Sequence, residues 1–243
     1  MAFSHPRPLP WARLVGALFL ATGVAIVRNR KGQAFSLALF GLLFVLLCLS
    51  SIPYELFIDP YHNYVGSWTN ALTNLALTGG AMTIAGSYHR GQGQERQGPV
   101  GSWPEKVALA GKIFFSITIL IYGITHFLYT KHLVPLVPSW LPYPFFWTYF
   151  TGGALMGAGS ALLLGIQQRR IAFLLGLMIF LWVFLVHLPR ALALPAADSQ
   201  PIRSLFTAVV YSGTAFVIAV LSSERSRKRH AKGILGTLTA SCL

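Results

Sequence analysis

The sequence predicts an all-α protein, a polytopic transmembrane bundle of about seven helices. Three observations predict it. Of the 243 residues, 54% are hydrophobic and only 10% are charged, against about 25% charged in a soluble domain. The charges fall in short blocks separated by long uncharged apolar stretches, the pattern expected where lipid is the solvent. Finally, the apolar stretches are long enough to cross a bilayer. A crossing segment must be helical, because an open sheet edge leaves backbone groups without partners in hydrocarbon.

The spans are 11–27, 34–52, 68–86, 107–127, 145–166, 171–188 and 205–222. At 1.5 Å per residue, about 20 residues cross a hydrocarbon core of about 30 Å. The first span has a signal-peptide flavour, with Arg7 and Arg13 ahead of the apolar run Leu14 to Val27. No small-residue cleavage site follows, and Arg28, Arg30 and Lys31 read as a flank that stops transfer, so the run is read as a retained helix. The second span contains Cys48, a small apolar filler. The other cysteine, Cys242, is not the fourth residue from the end that prenylation needs, and no CxxC is present. The third span carries Asn70 and Asn74 on one helical face with Thr69, Thr73 and Thr78, groups suited to hydrogen-bonding a neighbouring helix.

A Gly-, Gln- and charge-rich linker, Arg90 to Ser102, leads to the fourth span. There Lys112 is placed to snorkel back to water. The stretch Lys131 to Pro144 holds Pro135, Pro138, Pro142 and Pro144 with Trp140 and Tyr143. It reads as a stiff external loop at the headgroup level. The fifth span is rich in small residues (Gly152, Gly153, Gly157, Gly159, Ala154, Ala158 and Ala161) and is expected to pack tightly. The sixth follows the basic turn Arg169–Arg170. The seventh precedes the basic tail ERSRKRHAK. Four units result: a three-helix unit over 1–86, a basic linker over 87–106, a four-helix unit over 107–222 and a basic tail over 223–243.

The formal net charge of +13 lies beside apolar spans, which points to membrane topology and anionic headgroups rather than nucleic acid. Thirteen Lys and Arg fall on the side that holds Arg28, Arg90, Arg169 and the tail, and five on the other. The positive-inside rule therefore predicts a multi-pass protein of the cell inner membrane, with its C-terminus in the cytoplasm and its N-terminus outside.

An internal repeat is visible. At an offset of 136, Trp11 falls on Trp147, Gly16 on Gly152, Gly23 on Gly159, Ala25 on Ala161 and Pro53 on Pro189. At 134, Gly79 falls on Gly213, Ala81 on Ala215 and Ala85 on Ala219. The first three spans thus correspond to the last three, in parallel orientation, as in some transporter halves.

No Asp or Glu lies inside any of these spans, which removes the buried carboxylate that proton- and cation-coupled transport usually requires. His126 and His187 stand near the outer ends of spans four and six. Tyr122 shares a face with His126, and Lys131 and Arg190 follow the two histidines. With Asn70 and Asn74 they form a candidate polar pocket able to meet a quinone carbonyl or a small anion. Equally, each His can simply anchor a helix at the headgroup boundary. No catalytic set, metal cluster or intrinsic cofactor motif is recognisable.

Residues 123–164 carry Gly123, His126 and Phe127 at a helix end, then Val137 to Pro142 (Val-Pro-x-Trp-Leu-Pro), then Trp147, Tyr149, Thr151 and Gly152. With Arg169–Arg170 and the His187–Pro189 run, this resembles the DoxX-like family of bacterial membrane proteins over about 107–222. The resemblance implies a DoxX-like four-helix core, to which the first three helices are added as a repeat. It also implies a link to quinone-linked redox or stress-defence systems. Members often carry a Glu after the Thr-Gly pair; Ala154 and Leu155 stand there in this chain. The resulting expectation is an accessory or scaffold subunit, not an autonomous enzyme, with a quinone as the implied cofactor and a membrane or periplasmic redox protein as partner. The alternatives are a small-molecule or lipid carrier built on the repeat, and a quinone-binding oxidoreductase subunit.

Overall fold

The computed structural model describes residues 10–28, 32–91, 103–193 and 200–240, with side chains over 16–28, 32–88, 103–193 and 200–223. The side chains of ERSRKRHAK, most of the Arg90–Ser102 linker, and Arg7 and Arg13 therefore lie outside the described residues. Seven long helical segments are present among those described: α1 Pro10–Val27, α2 Gly32–Phe57, α3 Thr69–Gly91, α4 Trp103–Leu128, α5 Pro144–Leu164, α6 Gln168–Ala193 and α7 Gln200–Ala240. No strand occurs among the described residues. By length and apolarity, α2, α4, α6 and the Gln200–Ser223 part of α7 are each sufficient to cross a membrane. The Thr, Asn and Gly content of α3 dilutes its hydropathy below theirs.

The surface supports a lipid environment. Leu49, Phe173, Leu174, Leu181, Phe184 and Val220 are exposed large apolar side chains on these helices, far more than a soluble surface carries in one belt. Cys48 also lies on this outward surface, so it does not fill the interior.

Lipid is as apolar as leucine, so the helices gain little from hiding grease and must gain from close contact. Glycine supplies it. A Cβ on Gly79 of α3 would stand 2.5 Å from the carbonyl oxygen of Gly111 in α4, and one on Gly111 2.5 Å from that of Gly79. Gly123 of α4 and Gly152 of α5 make the next crossing in the same way. The main core, built on Phe115, Ile119, Leu162, Ala172, Ala215 and Ile218, draws on α4 to α7 and on Ala76 of α3. A smaller cluster, Leu39, Leu43 and Ala81 with Leu18 and Phe19, attaches α1 and α2 to α3. The packing thus groups α3 with α4–α7. The linker is shorter than its 87–106 expectation, since α3 runs to Gly91 and α4 starts at Trp103. Likewise α7 continues unbroken past residue 223.

Two helices share an irregularity. Leu47–Ser51 in α2 and Val183–His187 in α6 are π-helical turns. In them Ile52 N–H donates to the Leu47 carbonyl and Leu188 N–H to the Val183 carbonyl. Each turn lies just before a proline, Pro53 or Pro189. A proline ring collides with the carbonyl four residues earlier, and widening the ladder by one residue relieves the clash.

Candidate functional site

A cavity of about 640 Å³ lies at the end of the bundle where α4 and α6 finish and α3, α5 and α7 begin. Thr69, Asn70, Thr73 and Asn74 of α3 line it. So do Tyr122 and His126 of α4, Trp147 and Thr151 of α5, His187 and Arg190 of α6, and Arg203, Ser204 and Tyr211 of α7. Leu133, Leu136 and Val137, from the Pro-rich connection between α4 and α5, add a further wall. Deeper, Leu77, Ile119, Leu155, Met178 and Ile179 make an apolar floor. Among the described residues, neither α1 nor α2 contributes to the lining, and no Asp or Glu does.

Six of the seven residues singled out from sequence meet here: Asn70, Asn74, Tyr122, His126, His187 and Arg190. The seventh, Lys131, is exposed and does not line the cavity. It lies in a short helical turn, Thr130–Leu133, whose apolar end faces the cavity through Leu133.

The polar wall is tied together. The hydroxyls of Tyr122 and Thr73 share a hydrogen bond of 2.7 Å, and Thr73 Oγ1 also donates to the Thr69 carbonyl at 2.8 Å. This links α3 to α4 at the cavity. Tyr122 stacks on Tyr211 with ring centroids 6.2 Å apart. The Nδ1–H of His126 donates to the Tyr122 carbonyl at 2.7 Å, which in the neutral ring fixes the tautomer and leaves Nε2 as an acceptor. Asn74 Nδ2 donates to Ser51 Oγ at 2.6 Å, so this residue serves as glue between α3 and the π-turn of α2. At the mouth, Arg203 Nη2 donates to Gln200 Oε1 at 2.6 Å. Trp147 and Trp182 meet edge to face, with centroids 5.9 Å apart. Trp147 Nε1 donates to the Pro142 carbonyl at 2.9 Å, fastening the Pro-rich connection to α5.

One buried polar atom of a cavity residue, His187 Nδ1, has no hydrogen-bond partner among the described residues. An unmet buried group costs about 1–3 kcal/mol, so the wall of this cavity is not optimised for packing alone. Tyr211 is 5% exposed.

Residues 115–222, from within α4 to α7, match the family described as Domain of unknown function (DUF8561). That stretch is under half of the chain. It supplies the α4, α5, α6 and α7 walls and leaves α3 outside. No curated protein and no solved structure matches the chain.

Sequence reasoning did not place Arg203, Tyr211, Ser204 or Thr207 at the site. The usable signal was a polar stripe on one face of α7, Arg203–Thr207–Tyr211 at helical spacing, beginning at the depth of Arg190. Two other polar side chains behave unlike their sequence expectation. Lys112 is buried, only 9% exposed, instead of extending to water. Glu55 lies in the last turn of α2 with 1% exposure.

Proposed function

We propose that this chain is a multi-pass membrane protein that binds an amphiphilic small molecule in the cavity between α3 and α7, as an accessory subunit rather than a complete enzyme. The cavity carries the reading. Its volume of about 640 Å³ falls within the ~300–1,000 Å³ of small-molecule sites. Its walls combine an apolar floor with a few convergent polar groups near one end of the bundle. That gradient matches a molecule with a greasy body and a polar head.

In this reading all seven helices cross the cell inner membrane, with the C-terminus in the cytoplasm and the cavity toward the outer face. If the DoxX-like resemblance is followed, the ligand is a quinone. Its carbonyls would accept from donors at the level of Asn70, His187 and Arg190, and a membrane or periplasmic redox protein would be the partner that exchanges electrons with it. The accessory role rests on the sequence, which offers two cysteines with no CxxC spacing.

A carrier built on a parallel three-helix repeat is the second reading, favoured by one observation: the π-turns before Pro53 and Pro189 stand at the same offset of 136. It ranks second because only α3 of the first triplet reaches the cavity.

Filling the cavity tests the binding reading. Thr151→Phe and Thr207→Phe together should abolish saturable quenching of tryptophan fluorescence by a short-chain quinone or a brominated amphiphile, with Trp147 and Trp182 as the reporters. Unchanged saturable quenching in a folded double variant would remove the cavity as the binding site.

A further inference from the structure

We propose that the head group received by this cavity is an oxyanion, the carboxylate or phosphate of an amphiphile, met by Arg190 and Arg203. The inference rests on the binding reading above and names the ligand class. Both arginines line the cavity, and among the described residues no carboxylate does. A guanidinium stays charged at any physiological pH and offers five N–H donors in a planar fork suited to carboxylate and phosphate. Of these donors, only one Arg203 bond, to the neutral Gln200 oxygen, is made among the described residues. Neither arginine has an ion-pair partner among the described residues. Asp198 lies between them in sequence, outside the described residues. Even if it pairs with one, a positive charge remains.

Position adds to charge. Arg203 sits in the first turn of α7, at the end of the helix whose dipole favours an anion. Membrane topology does not account for these arginines. On the topology read from sequence, basic residues concentrate on the opposite side, and only five of the nineteen Lys and Arg fall on this one. Two of those five line the cavity. Beneath them, Leu77, Ile119, Leu155 and Ile179 offer the tail an apolar floor. A neutral quinone would fill the floor and bring no counter-charge to the guanidinium groups.

The test uses the full chain in bilayer discs of zwitterionic lipid, with a fluorescent fatty acid as probe and its methyl ester as the uncharged twin. The acid should bind at least tenfold more tightly than the ester. Arg190→Gln and Arg203→Gln should each weaken the acid about tenfold, the scale of one charged hydrogen bond, and leave the ester unchanged. Ester binding also reports that each variant is folded. A long-chain alkyl phosphate should displace the probe, and inorganic phosphate at equal concentration should not. Discs doped with an anionic phospholipid identify the source: competition points to the membrane's own lipid, and its lack to a free amphiphile, either of which supports the proposal. Equal affinity for acid and ester overturns the oxyanion assignment while the binding reading survives. Binding of neither, with no quinone binding, overturns both.

Discussion

A Cβ built on Gly152 would stand 2.7 Å from the Cβ of His126, whereas one built on Gly153 meets nothing within 4 Å. Adjacent glycines of α5 therefore have opposite roles. Gly152 lets α5 approach α4 where His126 reaches the cavity; Gly153 faces outward. Gly152→Ala is expected to cost about 1–3 kcal/mol by overpacking a fixed crossing and to push His126 off the cavity wall. Gly153→Ala should be neutral or should gain up to about 1 kcal/mol, since alanine is the better helix former. Unfolding in mild detergent measures both, and equal effects would show that the α4–α5 crossing is not where the structure puts it. Gly157 also has open space around it, and Gly159 would meet the backbone nitrogen of Leu120 at 2.7 Å. The small-residue run of α5 thus divides into a packed face and a face turned to lipid.

Along α6, the π-turn changes which residues share a face. One inserted residue turns everything after it by about 100° relative to the regular helix. Ile179 and Trp182 before the turn, His187 at its end and Arg190 after it all line the cavity, so the turn sets their common wall. Pro189→Ala removes the clash that stabilises the turn and should weaken amphiphile binding about tenfold or more. Pro53→Ala, in α2 and away from the cavity, should leave binding near the parent value. Equal binding by both variants would show that the turn does not position His187. This element also shows what the sequence could and could not reveal. The seven helical segments follow from apolar runs bounded by charge, a strong and local signal. Asn70, Tyr122, His126, His187 and Arg190 could be placed at one end because polar side chains at span ends are few. Lys131 was grouped with them by sequence proximity to His126, but the chain turns after α4 and carries it outward. Arg203 and Tyr211 escaped notice because their stripe with Thr207 marks a polar face of α7 but not that this face converges on α3 and α6, which is a tertiary fact. From sequence the spans end at 52 and 188, just before Pro53 and Pro189, and nothing local shows that the helices persist through these prolines as π-turns.

For the molecule as a whole, the decisive question is which face of the membrane the cavity meets. The helix ends alternate: α4 and α6 finish, and α3, α5 and α7 begin, at the cavity end. The turn Gly165–Gln167 between α5 and α6 lies at the opposite end. Its left-handed Gly165 and Gln167 reverse the chain just before Arg169 and Arg170. Both of those arginines are exposed, as expected for residues held in water by their charge. On the orientation proposed above, the Arg169–Arg170 turn faces the cytoplasm and the cavity mouth the outside. Single cysteines placed at Lys131 and at Arg170, in a chain with Cys48 and Cys242 replaced by serine, read this directly. Lys131→Cys should react with a membrane-impermeant maleimide in intact cells, and Arg170→Cys only after the membrane is opened. The reverse pattern would turn the protein over and deliver the cavity's ligand from the cytoplasm. Reaction of both in intact cells would mean that α5 does not cross, and the proposal that all seven helices span the membrane would fall with it.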